Sequence, residues 1–221
     1  MSLLLLDLDD TVLDRSAVVR RWARRFFGAE ISPPDLGRLL DMDAGAKIEH
    51  DEMARQLKER YPVASSVDDV SVALGEALRG GLEIDATVWT SLTTARERGW
   101  STVIVTNGAV DTQERKIRAS GLDRVVDAWV VSEAAGVWKP DPVIFQEAAE
   151  RAGQPLTRGW MVGDNPHSDI AGACNAGIPS VWLHHGRTWP AELDFAPTGT
   201  AGHCAEAIMA IVGERPASGT G

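Results

Sequence analysis

The chain has 221 residues, 44% of them hydrophobic and 24% charged, enough for one large domain or a core carrying an insert, and too apolar for a disordered chain. A formal net charge of −10, from 22 basic and 32 acidic residues, argues against nucleic acid polymers and anionic membranes as partners, while leaving room for a small phosphorylated metabolite. The two cysteines, Cys174 and Cys204, form neither a CxxC pair nor a zinc pattern and read as buried free thiols.

The first element in chain order is "LLLL" (3–6), which runs straight into Asp7, Asp9 and Asp10. An apolar run this short fits a strand buried on both faces of a parallel sheet. It is too short to cross a membrane, and it lacks the basic start and cleavage site of a secretory signal, so a cytoplasmic location is expected. From residue 15 to 84 no strand is expected; the interval holds the helical patches "AVVRRWARRFFG" (17–28), "PDLGRLLDMD" (34–43), "AKIEHDEMARQLKERY" (46–61) and "DDVSVALGEALRG" (68–80). It reads as an all-helical insert, large enough to be a small domain and suited to act as a lid over the strand ends.

Beyond the insert, strands and helices alternate. The strands are "STVIVT" (101–106), "AWVV" (128–131), "WMVG" (160–163) and "SVWL" (180–183); the helices are 87–99, 112–121, 142–153 and 169–177, several ending on glycine. Such alternation specifies right-handed βαβ units and hence an α/β fold, a doubly wound parallel sheet. The expected organisation is a core of 1–14 and 85–212, a helical cap of 15–84, and a frayed tail of 213–221.

In open parallel sheets ligands bind beyond the carboxyl ends of the strands. Four polar clusters fall there: Asp7, Asp9 and Asp10; Thr106 and Asn107; Lys139; and Gly163, Asp164 and Asp169. Singly, each has a structural reading, since Asp10 or Asp169 can cap a helix, "TNG" can turn, and Lys139-Pro140 can start a helix. Together they converge on one edge of one sheet. Crowded carboxylates must share protons or hold a cation, and oxygen ligands without His or Cys suit Mg²⁺, which also binds substrate phosphate. That chemistry is phosphoryl transfer.

These segments carry a family resemblance. "DLDDT" resembles the first motif of the haloacid dehalogenase (HAD) superfamily, "VTNG" its second, "GVWKPDP" its lysine motif and "MVGDNPHSDIAGACNAG" its acidic fourth, in the same order and spacing, with the insert where that family has a helical C1-type cap. The resemblance implies that Asp7 is the nucleophile and Asp9 the general acid and base. It implies that Thr106, the backbone at Asn107 and Gly108, and Lys139 bind phosphate. Asp7, Asp164 and the Asp9 carbonyl would hold Mg²⁺, with Asp169 acting through water or by orienting Lys139. The dehalogenase branch lacks the second aspartate, so Asp9 points to a phosphatase; a phosphomutase shares the motifs. The segments 105–145 and 163–183 resemble most the pyrimidine 5′-nucleotidase-like group, with sugar-phosphate and phosphoglycolate phosphatases as alternatives.

Other features read more plainly. "RRWARR" (20–25) is expected to be the solvated face of a helix, whereas Arg15, at the hinge into the insert, is a candidate substrate contact. Adjacent histidines in "LHH" (183–185) point apart and are not read as metal ligands. Trp138, beside Lys139, can either narrow the site or pack the loop, and Gly108 and Gly163 stand where the backbone must turn or approach phosphate.

Overall fold

The computed structural model describes residues 2–28, 31–44, 50–61 and 65–213. By internal packing the chain divides into two compact units, Met1–Leu13 with Ile84–Gly221, and Asp14–Glu83. Residues 46–49 of the third expected helix, and the expected tail from 214 on, lie outside the described residues.

The first unit is an α/β structure. Its strands are β1 (Ser2–Leu6), β2 (Trp100–Thr106), β3 (Ala128–Val131), β4 (Gly159–Gly163), β5 (Ser180–Leu183) and β6 (Gly199–Ala201). They form one sheet in the order β3-β2-β1-β4-β5-β6, with every neighbouring pair parallel. β6 is the strand that the sequence does not announce: "GTA" is too short and too small to stand out, and it pairs only as the sheet's edge.

β1 lies at the centre because all four leucines are fully buried, as a strand flanked and covered on every side requires. Alternation sends Leu3 and Leu5 into a core layer with Val103, Val105, Val130 and Met161, covered by Ile144, Phe145 and Ala148 of α8 (Pro142–Arg151) and Ala173 of α9 (Ala171–Asn175). Elsewhere α5 (Ala86–Glu97) packs on β2 and against α10 (Cys204–Gly213). The buried residues of α10, Cys204, Ala207, Ile208, Ile211 and Val212, follow the helical spacing of an apolar stripe. The described residues of the unit also form α6 (Val110–Ser120) and the one-turn α7 (Ser132–Ala135).

The second unit contains α1 (Arg15–Phe27), α2 (Pro33–Ala44), α3 (His50–Arg60) and α4 (Val67–Gly80). Asp14 caps α1, accepting from Ala17 N at 2.8 Å, and Ser66 with Asp69 forms a capping box on α4. α1 packs on α4, as does α3. Trp22 and Phe27 meet edge to face at 5.8 Å, and Phe27 meets Tyr61 at 6.2 Å. The arginines of "RRWARR" are exposed while Trp22 is buried, so this stretch is a solvated face over an apolar stripe.

One expectation fails: Cys204 is buried, but Cys174 is exposed on α9, because that short helix turns Gly172 and Ala173 inward and leaves position 174 outside. Among the described residues no helix is long and apolar enough to cross a membrane.

Candidate active site

Asp7 is the first residue past β1, and its backbone N–H still bonds Val162 O at 3.0 Å, so the sheet ladder fixes where its side chain begins. The chain then closes a tight loop in which Val12 N and Leu13 N both donate to Leu8 O, and Asp10 adopts a left-handed φ of 55°. Asp7 is almost wholly buried.

Lys139 arrives from the loop between α7 and α8. Its ammonium donates to Asp7 Oδ1 at 2.6 Å, to Asp169 Oδ1 at 2.7 Å and to Val105 O at 2.7 Å, which satisfies all three N–H groups of a buried lysine. Its backbone is held by the Asn107 side chain, which accepts from Lys139 N at 2.9 Å and donates to Lys139 O at 3.0 Å. Asn107, expected to offer its backbone to phosphate, thus uses its amide to seat the lysine.

Asp169 lies in a π-helical turn, Pro166–Ile170, which Asn165 caps by accepting from His167 N and Ser168 N. It is fully buried, and its Oδ2 accepts from Asn165 N at 2.9 Å. Gly163 makes this possible, because a Cβ there would stand 2.4 Å from the Asp169 carboxyl carbon. The N-cap residues here are Asn165 for the π-helical turn and Asp14 for α1.

Asp164 follows β4. Its carbonyl accepts from Trp182 Nε1 at 2.9 Å and from Arg187 at 2.7 Å, and Arg187 also reaches Asp164 Oδ2 at 3.0 Å. One oxygen each of Asp7, Asp164 and Asp169 lie within 4.8 Å of one another. Burial, then Asp169 and Asp7, pushes Asp164 up to about 8. Burial pushes Asp7 up to about 7, with Asp169 adding to the rise and Lys139 opposing it. For Lys139, burial acts downward, but Asp169 and Asp7 outweigh it and the ammonium is held above its ordinary range. Three clustered carboxylates, two of them pushed up by burial and mutual repulsion and all offering oxygen alone, are a donor set that fits Mg²⁺.

Asp9 is bound through its side chain by α6. Lys116 Nζ lies 2.8 Å from Oδ1 and 2.6 Å from Oδ2, and Gln113 Nε2 lies 3.0 Å from Oδ2. Gln113 Nε2 also donates to Thr106 Oγ1 at 2.6 Å, at the end of β2. Gly108 N donates to Ser132 Oγ at 2.9 Å, and the Glu133 carboxylate accepts from Val110 N at 2.7 Å, pinning the start of α6.

The structure therefore gathers Asp7, Asp164, Asp169 and Lys139 into one cluster and links Asp9 to Thr106. Arg15 is the first residue of α1, in the second unit. Trp138 is 54% exposed and buries little against the loop. His185 Nε2 bonds Asp10 O at 2.7 Å, so it holds the loop after β1, and neither histidine of "LHH" joins a metal-type cluster among the described residues. Sequence reasoning missed Gln113, Lys116 and Arg187. The first two stand three apart, a helical spacing that marks one face.

The haloacid dehalogenase-like hydrolase family matches residues 1–177. A phosphoserine phosphatase of Thermus thermophilus is 34% identical over 119 residues, 54% of this chain and 47% of that protein. The pyrimidine 5′-nucleotidase YjjG of Escherichia coli is 43% identical over 99 residues, 44% of this chain and 43% of that protein. The matched stretch spans less than half the length of either relative. The HAD-hydrolase YfnB of Bacillus subtilis, solved bound to magnesium, superposes with a TM-score of 0.72 at 22% identity, over 96% of this chain and 98% of that one, a likeness of fold.

Proposed function

The chain belongs to the haloacid dehalogenase-like hydrolase family, and from that premise we propose that it is a Mg²⁺-dependent phosphomonoester hydrolase acting on a small metabolite, with nucleoside 5′-monophosphates as the first substrate class. The observation that carries the reading is the convergence of Asp7, Asp164 and Asp169 within 4.8 Å, with Lys139 bonded to two of them. The nucleotide preference is supported by the 43% identity to a pyrimidine 5′-nucleotidase. Because another relative is named a phosphoserine phosphatase, esters of other small metabolites, sugar phosphates and phosphoglycolate among them, form the second reading.

The chemistry follows from the residues. An Asp7 carboxylate oxygen attacks phosphorus, the bond from phosphorus to the ester oxygen breaks, and the departing alkoxide takes a proton from Asp9. Water then attacks the same phosphorus, the bond to Asp7 breaks, and Asp9 receives the water's proton, which returns both side chains to their starting states with inorganic phosphate released. An anion meeting a phosphate dianion is opposed by charge, so Lys139 lowers the repulsion and Thr106 with the backbone at Asn107 and Gly108 orients the phosphoryl oxygens. Mg²⁺, when bound, would supply further neutralisation there, held by the Asp7 and Asp164 carboxylates and the Asp9 carbonyl. The helical unit Asp14–Glu83, with Arg15 near its start, would act as the cap and select the substrate.

The test is phosphate release with Mg²⁺ across nucleoside monophosphates, sugar phosphates, phosphoserine and phosphoglycolate, beside Asp7→Asn. The expected result is turnover that is greatest on nucleoside monophosphates and absent in EDTA and in the folded variant. Undiminished turnover in EDTA, halide release from 2-haloacids, or an active Asp7→Asn protein sinks the reading.

A further inference from the structure

Lys116 and Gln113 take no part in the scheme above. They lie one turn apart on α6 and both grip the Asp9 carboxylate: the lysine meets each oxygen at 2.8 and 2.6 Å, the amide meets Oδ2 at 3.0 Å. Neither is an ordinary helix-surface residue, since the Lys116 side chain is 10% exposed and Gln113 is 2% exposed. The Gln113 amide also reaches Thr106 Oγ1 at 2.6 Å, so one nitrogen ties the acid/base carboxylate to a hydroxyl assigned to the phosphoryl group. The loop is shaped to admit it: a Cβ at Gly108, whose φ is 150°, would come within 3.0 Å of Gln113 Cγ.

A carboxylate on a turn can rotate about two side-chain bonds, and proton transfer demands a donor within hydrogen-bond reach of the ester oxygen. Binding both Asp9 oxygens from one helix removes that rotation. We propose that Lys116 and Gln113 are positioning residues that hold Asp9 for proton transfer, and that Gln113 sets Asp9 and Thr106 in register. This rests on the reading of Asp9 as the acid and base of a phosphatase.

The test is the dependence of kcat/KM on the leaving group, measured on the full chain with saturating Mg²⁺. An alkyl monophosphate needs its leaving oxygen protonated, whereas p-nitrophenyl phosphate releases a stable anion without help, so the second ester also reports an intact site. Lys116→Met is expected to lose about ten- to a hundredfold on the alkyl ester, part of the roughly 10²–10⁴ that a positioned acid contributes, and only a few-fold on the aryl ester. Lys116→Arg should recover most of the loss, Asp9→Asn should show the same discrimination, and the double variant should be no worse than Asp9→Asn. If Lys116→Met does not fold, Gln113→Leu carries the same comparison. Equal losses on both esters, or none, while Asp9→Asn discriminates, overturns the positioning role and leaves the phosphatase reading standing. A non-discriminating Asp9→Asn overturns the acid/base reading and the positioning role with it.

Discussion

Gly163 and Asp169 compete for one volume: a side chain at 163 would place its Cβ 2.4 Å from the Asp169 carboxyl carbon. The glycine that ends β4 is therefore the space into which a buried carboxylate folds, and it lets Asp169 reach Lys139 at 2.7 Å.

Gly163→Ala is expected to destabilise the protein by about 2 kcal/mol or more, the usual cost of an overpacked interior, and to lower turnover by displacing Asp169 and with it Lys139. Differential scanning calorimetry and phosphate release check both. Gly37→Ala is the opposite case. It lies inside α2 with nothing within 4 Å of the added methyl, so up to about 1 kcal/mol of stabilisation is expected.

Lys139 is the cation between two buried carboxylates, at 2.6 and 2.7 Å. Lys139→Met removes it without replacing the charge, and breaking a buried pair in this way typically costs about 3–5 kcal/mol. The denaturation midpoint should fall clearly and turnover should vanish. An unchanged midpoint would mean that Asp7 and Asp169 do not depend on the lysine.

Stability in the absence of metal should depend on pH in a direction unusual for carboxylates. Asp7 and Asp164 are pushed up to about 7 and about 8 in the folded chain, against roughly 4 when unfolded. Between about pH 4 and 8 the folded state therefore holds protons that the unfolded state has lost, and stability falls as pH rises through that window. On the proposed reading Mg²⁺ would take the place of those protons. The rise in Tm on adding Mg²⁺ should be larger at pH 8 than at pH 6, which thermal scans in EDTA and in Mg²⁺ measure; an equal or smaller rise at pH 8 contradicts the assignment.

The two thiols should be distinguishable. Burial pushes Cys204 up to about 12, and Cys174 is exposed. A thiol-specific disulfide reagent should titrate one group in the native protein and both after denaturation. Two fast-reacting thiols in the native state would count against the packing of α10.

Strands β1 to β5 were legible because each is a short apolar run that stops at polar residues, the pattern a doubly buried strand must have. The ends of those runs also marked Asp7, Thr106 and Asp164. β6 was not legible, since three small residues at an edge carry no hydrophobic signal. α10 was overlooked although its apolar stripe is present in the sequence. Lys116 and Gln113 sit in "TQERKIRAS", where nothing local tells which charged residue turns inward; that depends on how α6 is set at its start, where Gly108 and Val110 bond Ser132 and Glu133, 24 and 23 residues downstream of them. The role of the Asn107 side-chain amide was not legible for the same kind of reason, since its partner is a backbone 32 residues away.

The place of β1 between β2 and β4 bears on the order in which the protein can assemble. Ser2 pairs with Trp100 and Leu3 with Gly159, so a growing chain emerging from the ribosome makes the strand that leads into Asp7 well before either neighbour exists. The four described helices of the second unit are synthesised in between. Closing such long loops adds little free energy, about 0.6 kcal/mol for each doubling of length, but it takes time. During that interval four consecutive leucines have no strand on either side, which makes this segment the natural grip for a chaperone and the point where a stalled chain would first aggregate.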